Sequence, residues 1–391
     1  MFDFAALPPL SLYVHIPWCV RKCPYCDFNS HAAGAELPEK DYVDALSSDL
    51  EQDLSQAQGR VLESIFIGGG TPSLFSPRGI ADLLAVVRAR LPLRPDIEIT
   101  LEANPGTMEQ GKFREFRAAG VNRLSLGVQS FHDDLLRRIG RIHGRDQAVR
   151  AVEAAHEAGF DDFNLDLMYG LPGQSAAQAL DDARTACDLA PAHISHYQLT
   201  LEPNTLFHRY PPPLPDDDAC WDMQRRCQAL LAGRGYAQYE VSAYARPGHR
   251  CRHNLNYWRF GDYLGIGAGA HAKITRPGAI ARAWKLRQPR EYLDSAGSAA
   301  RIGDTVRISP ADAGFEFMLN ALRLTQGVGA GLFHERTGLP LAMFEAALME
   351  ARRRCLLEED RDCLRATPRG YRFLNDLVGL FLPQSEVRDQ R

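Results

Sequence analysis

Three cysteines crowd into eight residues near the start of the chain, Cys19-Val-Arg-Lys-Cys23-Pro-Tyr-Cys26. Three thiolates this close can grip three corners of an iron–sulfur cubane, leaving the fourth iron without a protein ligand. An open metal position is what a reacting site needs. The competing reading is structural zinc, which wants four ligands, with His15 or His31 supplying one. The other cysteines (Cys187, Cys220, Cys227, Cys251, Cys355, Cys363) are dispersed. An odd total of nine argues against a disulfide framework and suits a metal site plus ordinary buried thiols.

The elements that must position these thiols alternate in type. LSLYVHI, ESIFIGG, IEITLEAN, RLSLGVQS, FNLDLMYG, HISHYQLTL and AQYEVSAYA read as strands. Between them, stretches such as DYVDALSSDLEQDL, GIADLLAVVRARL and RDQAVRAVEAAHEAG repeat apolar residues at three- and four-residue spacing, as helices do. Such alternation means parallel strands with crossover helices. Polar and glycine-rich residues recur at the strand ends: GGGT, EANP, then QS. Strand ends converging on one site predict a barrel or partial (β/α) barrel. No GxGxxG follows the first strand, which disfavours a dinucleotide fold.

The division expected is 1–245 for the barrel, 246–300 for a motif-rich extension and 301–391 for a C-terminal helical, winged-helix-like domain. In that last part three helices are followed by RDCLRATPRGYRFL, read as a hairpin. Residues 203–216, rich in proline, read as a loop over the site. The last domain carries 13 Arg, no Lys and 13 Asp plus Glu, and the whole chain a net charge of −4, so nucleic-acid binding is not expected. No apolar stretch is long enough to span a membrane, and the N-terminus lacks signal-peptide character, so a cytoplasmic protein is expected.

The cysteine motif in this position resembles the radical-SAM superfamily. Tyr13-Val-His15-Ile-Pro17-Trp-Cys19, IGGGTPS, LEANP, LSLGVQSF, GRIH and NLDLMYGLPGQ together resemble its oxygen-independent coproporphyrinogen III oxidase (HemN-like) branch, over about residues 10–385. The resemblance implies a [4Fe–4S] cluster on Cys19, Cys23 and Cys26 whose open iron takes S-adenosylmethionine (SAM). In that superfamily the reduced cluster cleaves SAM to a 5′-deoxyadenosyl radical. It also implies SAM contacts at Gly69, Gly70, Thr71, Glu102, Gln129, Arg141 and Asp166, with Tyr13 packing beside the cluster. Arg141 would pair with the SAM carboxylate.

Two departures separate the chain from the decarboxylase. Those enzymes extend the motif to CxxxCxxCxC, where this chain has Phe28, and they carry an extension ahead of the barrel. His253-Asn254-Leu255-Asn256-Tyr257-Trp258 instead matches the HNxxYW motif of the HemW group of haem chaperones. That resemblance makes His253 the haem ligand, with His271 ranked second and Cys251 auxiliary. Tyr257 and Trp258 would face the macrocycle, and Arg250, Arg252 and Arg259 its propionates. Without the resemblance, a histidine beside aromatics reads as a core residue. GDYLGIGAGAHAKI, with Gly261, Gly265, Gly267 and Gly269, reads as a close backbone approach near the cluster. The implied partners are haem, a haem-accepting protein and a reductant such as flavodoxin or ferredoxin. A dimer and peripheral membrane contact stay open, as do coproporphyrinogen III oxidation and a non-catalytic interaction protein on the same scaffold.

Overall fold

The first strand, β1 (Leu10–Ile16), is buried along almost its whole length, on both faces. Strands of that kind belong inside a parallel sheet covered by helices. That is their setting in the computed structural model, which describes residues 2–34, 36–106 and 111–383. Strands β1, β2 (Leu62–Gly69), β3 (Leu93–Ala103), β4 (Arg123–Gln129), β5 (Phe163–Tyr169) and β6 (His193–Gln198) pair in chain order, all parallel. Helices α1 (Glu39–Ala57), α2 (Pro77–Arg90), α3 (Phe113–Ala119), α4 (Arg145–Glu157) and α5 (Ala176–Asp188) carry the crossovers. Their limits follow local chemistry. At α5, the Ser175 hydroxyl accepts from the Gln178 amide while the Gln178 side chain accepts from the Ser175 amide, a reciprocal cap.

Residues from the C-terminal ends of β2, β3, β4, β5 and β6 border one cavity together with the loop after β1. A flat sheet could not bring them together. The sheet therefore curls into the expected partial barrel.

The sheet does not stop at β6. Past the helix α6 (Asp217–Gly233), β7 (Ala237–Gln238) and β8 (Ala243–Ala245) close that edge antiparallel. Past α7 (Arg252–Trp258), β9 (Asp262–Ile266) returns to lie parallel to β1 on its other side. Strands β10 (His271–Arg276), β11 (Ala279–Lys285) and β12 (Ile302–Arg307) follow antiparallel. The order across all twelve strands is β12-β11-β10-β9-β1-β2-β3-β4-β5-β6-β8-β7. The glycine-rich block thus forms β9, a turn and the start of β10. At Gly267 (φ 103°) a Cβ would strike the His15 carbonyl, so only glycine lets this turn lie against the end of β1. Asn29, in the cysteine loop, donates to the Ala268 and Arg287 carbonyls at 2.9 and 2.8 Å. A buried ionic cluster clamps the added strands to α1. Lys285 and Arg301 pair with both Asp49 and Asp53 at 2.6–2.7 Å, and Tyr292 donates to Asp49 at 2.7 Å. Charges so deep are tolerated because each is paired and hydrogen-bonded.

The C-terminal part packs its own core around Phe317, Phe333, Leu348 and Leu377. Helices form at Pro310–Ala321, Gly331–Thr337 and Glu345–Arg353 as expected. The expected hairpin at RDCLRATPRGYRFL is corrected. Cys363–Leu364 pairs with the distant Val328–Gly329, and Pro368–Arg372 is helical. Thr367 caps that helix and Pro368 occupies its first turn, a helix-start signal that outweighs the strand-like composition. Among the described residues no helix is long and apolar enough to cross a membrane.

Candidate cluster site and the cavity beside it

The cysteine loop is a closed excursion from the end of β1. Trp18–Cys19 pairs with His31–Ala32, and the Ala33 amide donates to the Cys19 carbonyl at 2.8 Å. Cys19 is buried, Cys23 and Cys26 half-buried, and all three are free thiols. Among the described residues no three ligand side chains converge on one point as a single ion demands. His15 is no fourth zinc ligand. Its Nδ1 bonds the Tyr13 hydroxyl at 2.9 Å and its Nε2 the Asn29 carbonyl at 2.8 Å. Burial pushes the Cys19 and Cys26 thiols up, so metal binding there releases protons.

The expected contacts meet around these thiols. Gly69, Gly70, Thr71, Glu102, Gln129, Arg141 and Asp166 border the same cavity, of about 230 Å³, as Cys19, Cys23 and Cys26. The glycine turn is fastened to the cysteine loop, with Gly70 N donating to Ile16 O at 2.8 Å and Thr71 N to Trp18 O at 2.7 Å. At Gly69 (φ 119°) a Cβ would come within 2.7 Å of the His15 ring. Gln129 holds a left-handed φ of 69°, and its side-chain Oε1 accepts from the Tyr197 hydroxyl at 2.8 Å. Arg141 donates to Asn104 Oδ1 at 2.7 Å and Gly127 O at 2.6 Å, and its Nη1 lies 3.9 Å from Cys23 Sγ. Its Nε is buried and has no partner among the described residues. One cation with an unspent donor thus stands beside a thiolate site.

The opposite wall is acidic. Glu102 accepts from Gly69 N at 3.0 Å. Burial first, then the negative field of Asp166, push its carboxyl up to about 8. Burial raises Asp166 as well, although Asn164 Nδ2 and the Ser125 hydroxyl donate to it at 2.8 and 3.2 Å. Two crowded carboxylates call for a cationic ligand. SAM supplies that charge as a sulfonium and an ammonium, so the residues fit the group the motif implies.

Tyr13 falls elsewhere. With His15 it borders a neighbouring cavity of about 470 Å³, whose other walls include Tyr257, Trp258, Tyr263, His271, Arg282 and Arg287. The two cavities share Asp27, Phe28, Gly69 and Glu102. Phe28, 59% exposed, stands at that shared wall.

The HNxxYW motif forms α7, and His253 on it faces the interior. It is 1% exposed and does not border either cavity. Its Nδ1 bonds the Ser64 hydroxyl at 2.9 Å and its Nε2 the Tyr257 hydroxyl at 2.8 Å. Both ring nitrogens are engaged in this structure, where the ring positions Tyr257. The arginines of that block also point elsewhere. Arg252 pairs with Asp96, Arg250 bonds Gln326, and neither they nor Arg259 border the large cavity. Cys251 is buried against Glu98. His271 does border the cavity, is exposed and stacks on Trp284.

With this geometry in place the comparisons are specific. The radical SAM superfamily model matches residues 13–186 and the HemN C-terminal domain model residues 308–373. The heme chaperone HemW of Escherichia coli is 53% identical, over 97% of this chain and 99% of its own length. That of Bacillus subtilis is 34% identical, over 95% and 99%. This chain belongs to the HemW family. The solved coproporphyrinogen III oxidase HemN of E. coli shares the fold, with TM-score 0.81 over 96% of this chain and 90% of its own, at 23% identity. As a HemW-family member of the radical SAM superfamily, the chain takes a [4Fe–4S] cluster and SAM as its cofactors.

Among the polar residues of the cluster-side cavity that reading the sequence missed are Tyr25, Asn104, Ser125 and Tyr197. Asn104 was within reach. It follows Glu102 at strand spacing, on the same face, and its amide donates to the Thr71 hydroxyl at 2.8 Å. The proline-rich stretch does lie on the cysteine loop, since Phe207 N donates to Pro24 O at 3.0 Å.

Proposed function

We propose that this chain carries haem in the cavity lined by Tyr257, Trp258 and His271 and passes it to an acceptor protein, with SAM and the reduced cluster regulating release. The observation that carries the reading is the large cavity abutting the cluster site. Tyr257, Trp258 and Tyr263 give it flat aromatic walls suited to a macrocycle. His271 offers the imidazole. Burial, then the positive charges of Arg282 and Arg287, lower its pKa and keep the ring neutral, the form that ligates iron. No hydrogen bond occupies its ring among the described residues. Arg287 is exposed at the rim, free to meet a propionate. In this reading residues 1–245 hold the cluster and SAM, 246–300 build most of the haem wall, and the part from 301 onward begins with the last strand of the sheet and continues into the C-terminal helices.

The cluster supplies one-electron chemistry when bound. Cys19, Cys23 and Cys26 would hold it, Arg141 would balance its charge and meet the SAM carboxylate, and Glu102 and Asp166 would hold the cationic groups of SAM. Because Glu102, Gly69 and Phe28 border both cavities, a change at SAM reaches the haem wall directly, which supports regulated release. An external reductant, flavodoxin or ferredoxin, would supply the electron.

The test is haem release from the loaded chain to apomyoglobin as a trap. Release should quicken when SAM is added to the reduced cluster. Equal rates with oxidised or reduced cluster, with and without SAM, would remove the regulatory part. Absence of saturable haem binding would remove the chaperone reading and bring product analysis for porphyrinogen decarboxylation next.

A further inference from the structure

A third cavity, of about 280 Å³, lies behind the wall formed by Arg21, Cys23, Asn104 and Arg141. Of the three cluster thiols only Cys23 borders it; Cys19 and Cys26 border the SAM side alone. Among the described residues, the charged side chains that line it are Arg21, Lys112 and Arg141, with no carboxylate beside them. Lys112 is fixed there by the carbonyls of Ser73, Leu74 and Phe75, each at 3.2 Å. His143 adds no charge, because burial and then Arg141 lower its pKa to about 3. At the mouth stand two apolar side chains, Val20 and Ile142, 56% and 60% exposed. In a chain of net charge −4, a cationic cavity with an apolar rim is a local reversal. Apolar contact beside a single sign of charge is how a transient partner of opposite charge is steered and seated.

We propose that this face docks an acidic one-electron carrier protein, bearing a flavin or an iron–sulfur centre, and that the electron enters the cluster through Cys23. The inference rests on the cluster reading above. The carrier loses one electron and the cluster gains it; no bond forms or breaks and no proton is needed.

The experiment uses the full chain with its cluster reconstituted anaerobically and its iron counted. Reduced flavodoxin is the probe, dithionite the small-molecule control, and the bleaching of the cluster is followed by stopped flow. Ile142 lines neither other cavity, so Ile142→Glu and Ile142→Arg alter the mouth alone. Ile142→Glu should slow reduction by flavodoxin about tenfold at low salt, with the difference shrinking at high salt. Ile142→Arg should match or exceed the wild type. Dithionite rates and iron content should not change. Oxidised flavodoxin should also bind the cluster-free chain more weakly in the Glu variant. Equal flavodoxin rates in both variants, or an equal slowing with dithionite, would overturn the proposal. A wild-type chain that takes up no iron would remove the cluster reading beneath it, before any rate is measured.

Discussion

Replacing Glu102 by Gln should stabilise the cofactor-free chain, and by an amount that depends on pH. The carboxyl borders two cavities, with Asp166 raising it electrostatically and no cation paired to it among the described residues. Its pKa moves from 4.5 to about 8 on folding. At ~1.4 kcal/mol per unit that shift amounts to on the order of 5 kcal/mol. Water in the open cavities screens part of it, leaving ~2–3 kcal/mol. Because the folded pKa is the higher one, the folded state holds the proton more tightly between the two values. Wild-type stability therefore falls as pH rises from 4.5 to 8, and the penalty is constant above. Gln keeps the carbonyl that accepts from Gly69 and removes the charge. Denaturant melts of both proteins from pH 5 to pH 9 should show a gap in favour of Glu102→Gln that opens with pH and levels off near pH 8. Saturating SAM should close it, since the cationic ligand compensates the wild-type carboxylate. A variant less stable than the wild type at pH 8, or a gap independent of pH, would refute the reasoning.

Cys23→Ala should abolish iron binding and brown colour yet leave the cooperative melt almost unmoved, because Cys23 sits half-buried in the loop, outside the core. A lost transition would show the cluster to be structural. His253→Ala should cost about 2–4 kcal/mol in urea unfolding, since it empties a buried site and removes the ring from the Ser64 and Tyr257 hydroxyls. Gly69→Ala should cost about 1–3 kcal/mol, because a left-handed backbone and the His15 ring leave no place for a Cβ; a neutral result would mean that the turn shifts freely.

The strand pattern was legible because the barrel strands hold runs of residues buried on both faces, bounded by polar or glycine-rich ends. LSLYVHI became β1 residue for residue. That Gly69, Glu102, Gln129 and Asp166 would share one cavity was legible for the same reason: strand ends of a curled parallel sheet must meet. What the sequence did not show depended on contacts distant in sequence. His253 looks like a ligand in its motif, and only Ser64, 189 residues away, and the turn geometry of α7 show it committed to hydrogen bonds. The glycine block announced a close approach but not its partners, His15 and Asn29. Arg282 and Arg287 lie on and beyond β11, which no local motif marks, yet they line the large cavity. The C-terminal hairpin failed locally, at the Thr367-Pro368 helix start.

The most direct measurement is a haem titration of the wild type, His271→Ala and His253→Ala, followed at the Soret band and by electron paramagnetic resonance. The wild type should saturate near one haem per chain with the signature of an imidazole ligand. His271→Ala should lose that signature and bind at least ten times more weakly, whereas His253→Ala should bind more weakly but keep it. An imidazole signature that survives in His271→Ala and vanishes in His253→Ala would place the ligand on α7 and contradict the site described above.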